Sequence, residues 1–194
     1  MNTPQAICVY CSSKDEVANV YKDAAAELGH SLAEKGISLV YGGGDKGLMG
    51  IVSHSAMDAD GRVVGFMPRH LQAIERPALN ITEFHFVDSM HARKQSMFEH
   101  ADVFLVLPGG FGTLDEIFEI ITWRQIGLHE KPIVFININN YWSPLKTLID
   151  SIIGQHFAST DHREFFHFAD SVDEAFELIG LAPEPRKVAP PDWT

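Results

Sequence analysis

A strand-like apolar run, Val103-Phe104-Leu105-Val106-Leu107, passes into a glycine-rich turn, Pro108-Gly109-Gly110-Phe111-Gly112-Thr113. The turn opens onto an amphipathic helical pattern from Leu114 to about Ile126. Glycines let a backbone approach a ligand closely, and a helix start offers free N–H groups and partial positive charge. Such a turn can cradle a phosphate. Glu116, an acid at the head of the same helix, adds a carboxylate beside the cradle. That combination points to chemistry next to a bound phosphate, beyond phosphate binding alone. Thr113-Leu114-Asp115-Glu116 also spells a capping box, in which Glu116 would fold back onto the Thr113 N–H. Spacing alone does not choose between these roles.

A second group tilts the balance. Asp88-Ser89-Met90-His91-Ala92-Arg93-Lys94 lies between a strand and a helix, with Ser89 as N-cap. Arg93 and Lys94 then fall near the first turn, where the helix dipole disfavours positive charge. A local rule broken this way is expected where function requires it. Arg93 can fork onto an anion with two parallel hydrogen bonds, so it is the stronger candidate of the two. With Arg93 at the same sheet edge, Glu116 reads as a site carboxylate.

A further glycine cluster, Tyr41-Gly42-Gly43-Gly44-Asp45-Lys46-Gly47, follows a strand and precedes a helix. Gly42, Gly44 and Gly47 satisfy G-x-G-x-x-G, a weak signal alone. The dinucleotide reading wants an acid after the next strand, and Val63-Val64-Gly65-Phe66-Met67-Pro68-Arg69 supplies none. The loop reads as a second mononucleotide wall facing the first, with Gly43 and Gly44 as ligand contacts, or else as a tight turn needing glycine for geometry.

Other chemistries lack their residues. Ten histidines show no metal-ligand spacing, and His162 and His167 read as surface groups. There is no G-x-S-x-G elbow and no G-x-x-x-x-G-K-[ST] loop. Cys8 and Cys11 form C-x-x-C, but a strand points them to opposite faces, so they read as two reduced cysteines in or beside the core. A net charge of −11 argues against a general nucleic-acid binder, though a small basic pocket fits within an acidic surface. No apolar stretch is long enough to span a membrane, and Met1-Asn2-Thr3-Pro4-Gln5 lacks a signal-peptide pattern. The expected location is cytoplasmic.

These groups need a scaffold. The 194 residues fit one domain, 1–181, with a proline-rich tail, 182–194, expected to be extended or disordered. Strand-like runs fall at Ala6–Tyr10, Ser38–Tyr41, Val63–Met67, Phe84–Val87, Val103–Leu107 and Ile133–Ile136, with a weaker one at Phe165–Phe168. Helical patterns lie between them, at Val17–Lys35, Leu48–Ala59, Met90–His100, Leu114–Ile126 and Pro144–Gln155, with a short one at Asp173–Ile179. Alternation of this kind predicts an α/β fold: a Rossmann-like, doubly wound parallel sheet with helices on both faces, binding its ligand at the carboxyl ends of the strands.

Pro108-Gly109-Gly110-Phe111-Gly112-Thr113-Leu114-Asp115-Glu116 matches P-G-G-x-G-T-x-x-E, and Met90-His91-Ala92-Arg93-Lys94 matches M-x-x-R-K. With these motifs the chain resembles the Lonely Guy family of cytokinin riboside 5′-monophosphate phosphoribohydrolases. Members are often labelled lysine decarboxylases, a name the motifs do not support. The resemblance runs from Ile7 to about Ile179 and includes Leu39 to Gly44, Gly47 to Gly50 and Ile121 to Gly127. One departure is the loop after the first strand: the family commonly has Cys-Gly-Ser-Ser, and here Cys11 precedes Ser12-Ser13-Lys14.

The resemblance implies hydrolysis of a purine nucleoside 5′-monophosphate, adenosine monophosphate or an N6-prenylated analogue, to free base and ribose 5-phosphate. It implies a homodimer and no metal or organic cofactor. It carries substrate binding onto Glu75, Arg93, Lys94, Thr122 and the run Gly110, Phe111, Gly112, Thr113, Leu114, Asp115 and Glu116. Arg93 and Glu116 match the catalytic pair. Two other readings remain beside it. A nucleotide or molybdenum-cofactor carrier would need the cradle without that pair. A pyridoxal-phosphate decarboxylase would need a Schiff-base lysine, and nothing around Lys46, Lys94 or Lys131 identifies one.

Overall fold

In the computed structural model, which describes residues 4–181, seven strands form one parallel sheet. They are β1 (Ala6–Tyr10), β2 (Ser38–Tyr41), β3 (Val63–Pro68), β4 (Glu83–Val87), β5 (Val103–Val106), β6 (Ile133–Ile136) and β7 (His167–Ala169). Their order is β4-β3-β2-β1-β5-β6-β7, with every pairing parallel. The helices among the described residues are α1 (Asn19–Glu34), α2 (Gly47–Asp58), α3 (Met90–Glu99), α4 (Phe111–Gln125), α5 (Ser143–Gly154) and α6 (Val172–Leu181).

Side-chain alternation along the strands builds one core on each face. Ile7, Val9 and Cys11 join Ala25, Leu28 and Leu32 of α1, Leu48 and Val52 of α2, and Ala175 of α6. Cys8 and Tyr10 join Met97 and Phe98 of α3, Ile117 and Ile120 of α4, and Leu145 of α5. The two cysteines are free and buried, on opposite faces of the sheet. Central strands buried on both faces read as unbroken apolar runs, which is why β5 and β6 are legible as Val103–Val106 and Ile133–Ile136.

The expected strands and helices are present, with corrected ends. Leu107 lies beyond β5, and α1 starts at Asn19 instead of Val17. The weak seventh strand is His167–Ala169, preceded by a 3₁₀ segment, Thr160–Phe165. The correction that matters is α4. It starts at Phe111, not Leu114, with Gly110 as its N-cap. Glycine is a poor residue inside a helix, which is why the sequence reads as turn up to Thr113. In a first turn the N–H groups have no intrahelical partner, and glycine is tolerated there. The capping box therefore does not form: Thr113 is inside the helix, and Gly110 makes no side-chain cap bond. The tail 182–194 lies outside the described residues. No described helix is long and apolar enough to cross a membrane.

Candidate active site

The strand order reverses beside β1: the chain leaves toward β2 on one side and returns to β5 on the other. The crevice at the carboxyl ends of such neighbours is where an open α/β sheet binds ligands. A cavity of about 180 Å³ lies there. It is lined by Tyr10 at the end of β1 and Cys11 to Lys14 after it, Gly42 after β2, Arg93 and Met97 of α3, Gly110 at the N-cap of α4, and Phe111 to Thr113 and Glu116 of α4. A wider space of about 450 Å³ adjoins it through the shared residues Ser13, Lys14, Met49 and Glu75, and extends to Gly44, Asp45 and Arg76.

The start of α4 faces this cavity. Its first intrahelical bond runs from Leu114 N–H to the Gly110 carbonyl at 3.0 Å. The N–H groups of Phe111, Gly112 and Thr113 precede that bond and have no partner within the helix, as binding an anion at a helix start requires. Gly109 has to be glycine, because a Cβ there would overlap the Thr113 side chain. At the second glycine loop the situation differs. The Gly47 N–H, first in α2, donates to Asp15 Oδ1 at 2.8 Å, so a carboxylate of the chain already occupies that helix start.

Glu116 is 8% exposed and Arg93 5% exposed. Arg93 Nη2 lies 3.9 Å from Glu116 Oε1. Burial pushes the Glu116 carboxyl up to about 7, Arg93 opposes that rise, and Asp115 and Glu75 add to it. A group with this value changes protonation near neutrality, as general acid–base work requires. Arg93 keeps unused capacity: its Nε is buried with no hydrogen-bond partner. Ser89 Oγ accepts from Ala92 N–H at 3.0 Å, so the N-cap is as expected and holds Arg93 in the first turns of α3. The guanidinium also explains Gly42, where a Cβ would overlap Arg93 Nη2. Gly42 is there to make room for a cation.

The cavity brings together Glu75, Arg93, Gly110, Phe111, Gly112, Thr113 and Glu116. Glu75 comes from the loop after β3, and its Oε2 is buried without a partner. That loop is pinned by an antiparallel bridge between Gly44 and Pro77 and by Arg76 Nε on Asp45 at 3.1 Å. The cavity does not include Lys94, Leu114, Asp115, Thr122 or Gly43. Lys94 Nζ instead lies 3.1 Å from both Asp115 and Glu119, clamping α3 to α4. Leu114, Asp115 and Thr122 lie on the outer side of α4 with Phe118 and Glu119. Gly44 lines the adjoining space, and Gly43 sits under Phe66 and Phe84 with φ 75°. Sequence reasoning missed Tyr10, Met49 and Met97, whose apolar letters read as core, and Lys14, which carried no motif. No histidine lines either cavity. Among the described residues no three His, Cys, Asp or Glu side chains are grouped to hold a metal ion.

Comparison with known proteins places this arrangement. A family model described as "Possible lysine decarboxylase" matches residues 49–179. The cytokinin riboside 5′-monophosphate phosphoribohydrolase LOG of Oryza sativa subsp. japonica is 43% identical over 92% of this chain and 74% of its own length. A relative of the same enzyme name from Arabidopsis thaliana is 41% identical over 94% of this chain and 86% of its own. The chain belongs to the Lonely Guy family. The fold extends further: the molybdenum cofactor binding protein of Rippkaea orientalis superposes with a TM-score of 0.70 at 20% identity, covering 93% of this chain and 97% of that one. The two Lonely Guy motifs acquire a physical meaning here. M-x-x-R-K buries Arg93 and clamps α3 with Lys94, and P-G-G-x-G-T-x-x-E joins an open helix start to a buried carboxyl.

Proposed function

We propose that this protein hydrolyses the N-glycosidic bond of purine nucleoside 5′-monophosphates, adenosine monophosphate and its N6-prenylated analogues among them, to free base and ribose 5-phosphate. The observation that carries this reading is the buried Glu116–Arg93 pair beside the open start of α4. Burying an ionisable pair costs folding stability, a cost expected where function requires the pair. A carrier needs the helix start and not the pair, so the pair favours the enzyme.

The 5′-phosphate sits on the N–H groups of Gly110, Phe111, Gly112 and Thr113, as a remote handle that positions the reacting carbon. As the bond from C1′ to the base breaks, the sugar becomes oxocarbenium-like. Ionised Glu116 stabilises that charge and takes a proton from the water that adds to C1′. The departing base leaves with the bonding electron pair and takes a proton from solvent, and the proton held by Glu116 returns to solvent. Arg93 orients Glu116 and lowers its pKa toward the working range. Glu75, with its unpartnered oxygen, holds ribose hydroxyls.

The direct test is release of free base from adenosine monophosphate and from its N6-isopentenyl analogue. Release from both is expected, and the ratio of rates ranks the substrates. Bound nucleotide with no release from either would favour the carrier reading instead.

The same reading includes a homodimer. Phe111, Asp115, Phe118, Thr122 and Ile126 fall within a narrow arc of α4 at 3.6 residues per turn, and Phe111 and Ile126 are 92% and 64% exposed. Thr122 is about 16 Å along the helix from Phe111 at ~1.5 Å per residue, too far to serve its own cradle. A twofold, antiparallel pairing of this face brings Thr122 of one copy alongside the first turn of α4 in the other. Light scattering should give a dimer for the wild type. Phe118→Glu should give a monomer with at least tenfold lower kcat/KM; a dimeric, active variant would place the interface elsewhere.

A further inference from the structure

Between β6 and α5 the chain takes an unusual path. Asn139 and Asn140 are consecutive residues in the left-handed region, with φ 52° and 58°. Asparagine tolerates that region better than most residues, but two in succession are uncommon. The path delivers Tyr141. Its ring packs edge-on against Tyr21, centroids 5.6 Å apart, and against Trp142 at 4.9 Å. Trp142 is anchored in turn: its backbone N–H donates to Asn137 Oδ1 at 2.7 Å, and its ring packs on Phe135. The Tyr141 hydroxyl donates to the Gly109 carbonyl at 2.7 Å.

That carbonyl belongs to the peptide unit that also carries the Gly110 N–H. In a trans peptide the C=O and N–H point to opposite sides. Two successive glycines leave this unit freer to rotate than any other part of the turn. Gly110, moreover, has nothing within 4 Å of a Cβ position to hold it. A bond from a tyrosine ring packed between two aromatic neighbours removes that freedom. Tyr141 does not itself line the cavity.

We propose that Tyr141 is a positioning residue of the phosphate cradle: its hydroxyl fixes the Gly109–Gly110 peptide so that the Gly110 N–H faces the substrate's 5′-phosphate. This rests on the reading of the α4 start as a phosphate site. It predicts that the hydroxyl matters for phosphate-bearing ligands and not for the nucleoside part.

The test uses the full chain with Tyr141→Phe, which removes one oxygen and keeps the ring. Inhibition of adenosine monophosphate hydrolysis is measured with ribose 5-phosphate and, separately, with adenosine. The ribose 5-phosphate inhibition constant should weaken by about threefold to tenfold, the range of one hydrogen bond. The adenosine constant should stay within experimental error. Inhibition constants do not depend on the folded fraction, so partial unfolding of the variant cannot mimic this result. Equal changes in both constants, or none in either, would overturn the role of Tyr141. If wild-type protein holds adenosine monophosphate no tighter than adenosine, the phosphate site itself falls, and the proposal with it. If wild type shows the preference and Tyr141→Phe keeps it whole, the proposal alone falls.

Discussion

Glu116→Gln should lower kcat for base release by about 10³-fold or more, the scale of losing a general base together with a charge-stabilising group. The variant should still bind adenosine monophosphate, because the start of α4 is untouched. It should also be the more heat-stable protein at pH 8. Glu116 has a raised value in the folded state, from 4.5 to about 7, chiefly through burial. The folded protein therefore keeps a proton that the unfolded chain releases between those values. Stability from this group is full below about pH 4.5 and falls as pH rises toward 7. Above that it stays low. The displacement corresponds to about 3 kcal/mol. Glutamine carries no such loss. The difference in melting temperature between variant and wild type should thus open between pH 4.5 and 7 and persist to pH 8. A difference independent of pH would show that the carboxyl is not held protonated. Retained base release would remove Glu116 from the chemistry.

Gly42→Ala should cost about a hundredfold in kcat/KM, although it alters a residue with no side chain. A Cβ at this position meets Arg93 Nη2, and lies 2.9 Å from Arg93 Cζ and 3.2 Å from Met49 Sδ. Arg93 is too buried to shift without leaving Glu116, and a displacement of about 1 Å can cost 10²-fold in rate. Arg93→Ala should be more severe, abolishing turnover. Both changes remove or weaken the interaction that opposes the rise in the Glu116 pKa. The acidic limb of the residual rate profile in Gly42→Ala should therefore move to higher pH than in wild type. Wild-type activity in Gly42→Ala would mean that the cation's position is not critical. An unmoved limb would mean that Arg93 does not tune the carboxyl.

Much of this was legible in the residues. Buried strands announce themselves as runs such as Val103–Val106, and a parallel sheet follows from their alternation with helical stretches. Arg93 betrayed itself by standing where a helix start should repel it. What stayed hidden came from packing and from loops. Gly42 reads as a phosphate glycine, and only tertiary structure shows a guanidinium filling its place. Gly110 to Thr113 read as turn because glycine breaks helices, yet a helix already begins there. Glu75 sits on a loop without periodicity, held by the Gly44–Pro77 bridge, and no local pattern signals that. Tyr10, Met49 and Met97 line the cavity with residue types that ordinarily mean core.

The Asp15 carboxylate on the Gly47 N–H has a meaning for ligand choice. The two glycine loops follow β2 and β5, the strands that flank β1, and each leads into a helix whose positive end could take an anion. Asp15 is a resident competitor for one of them, tethered to the loop after β1 and so present at a concentration no free ligand attains. A molecule with two separated phosphates could place only one of them without evicting it. On the proposed reading, a mononucleotide needs only the start of α4, whereas the second phosphate of a dinucleotide would have to displace Asp15 from the start of α2.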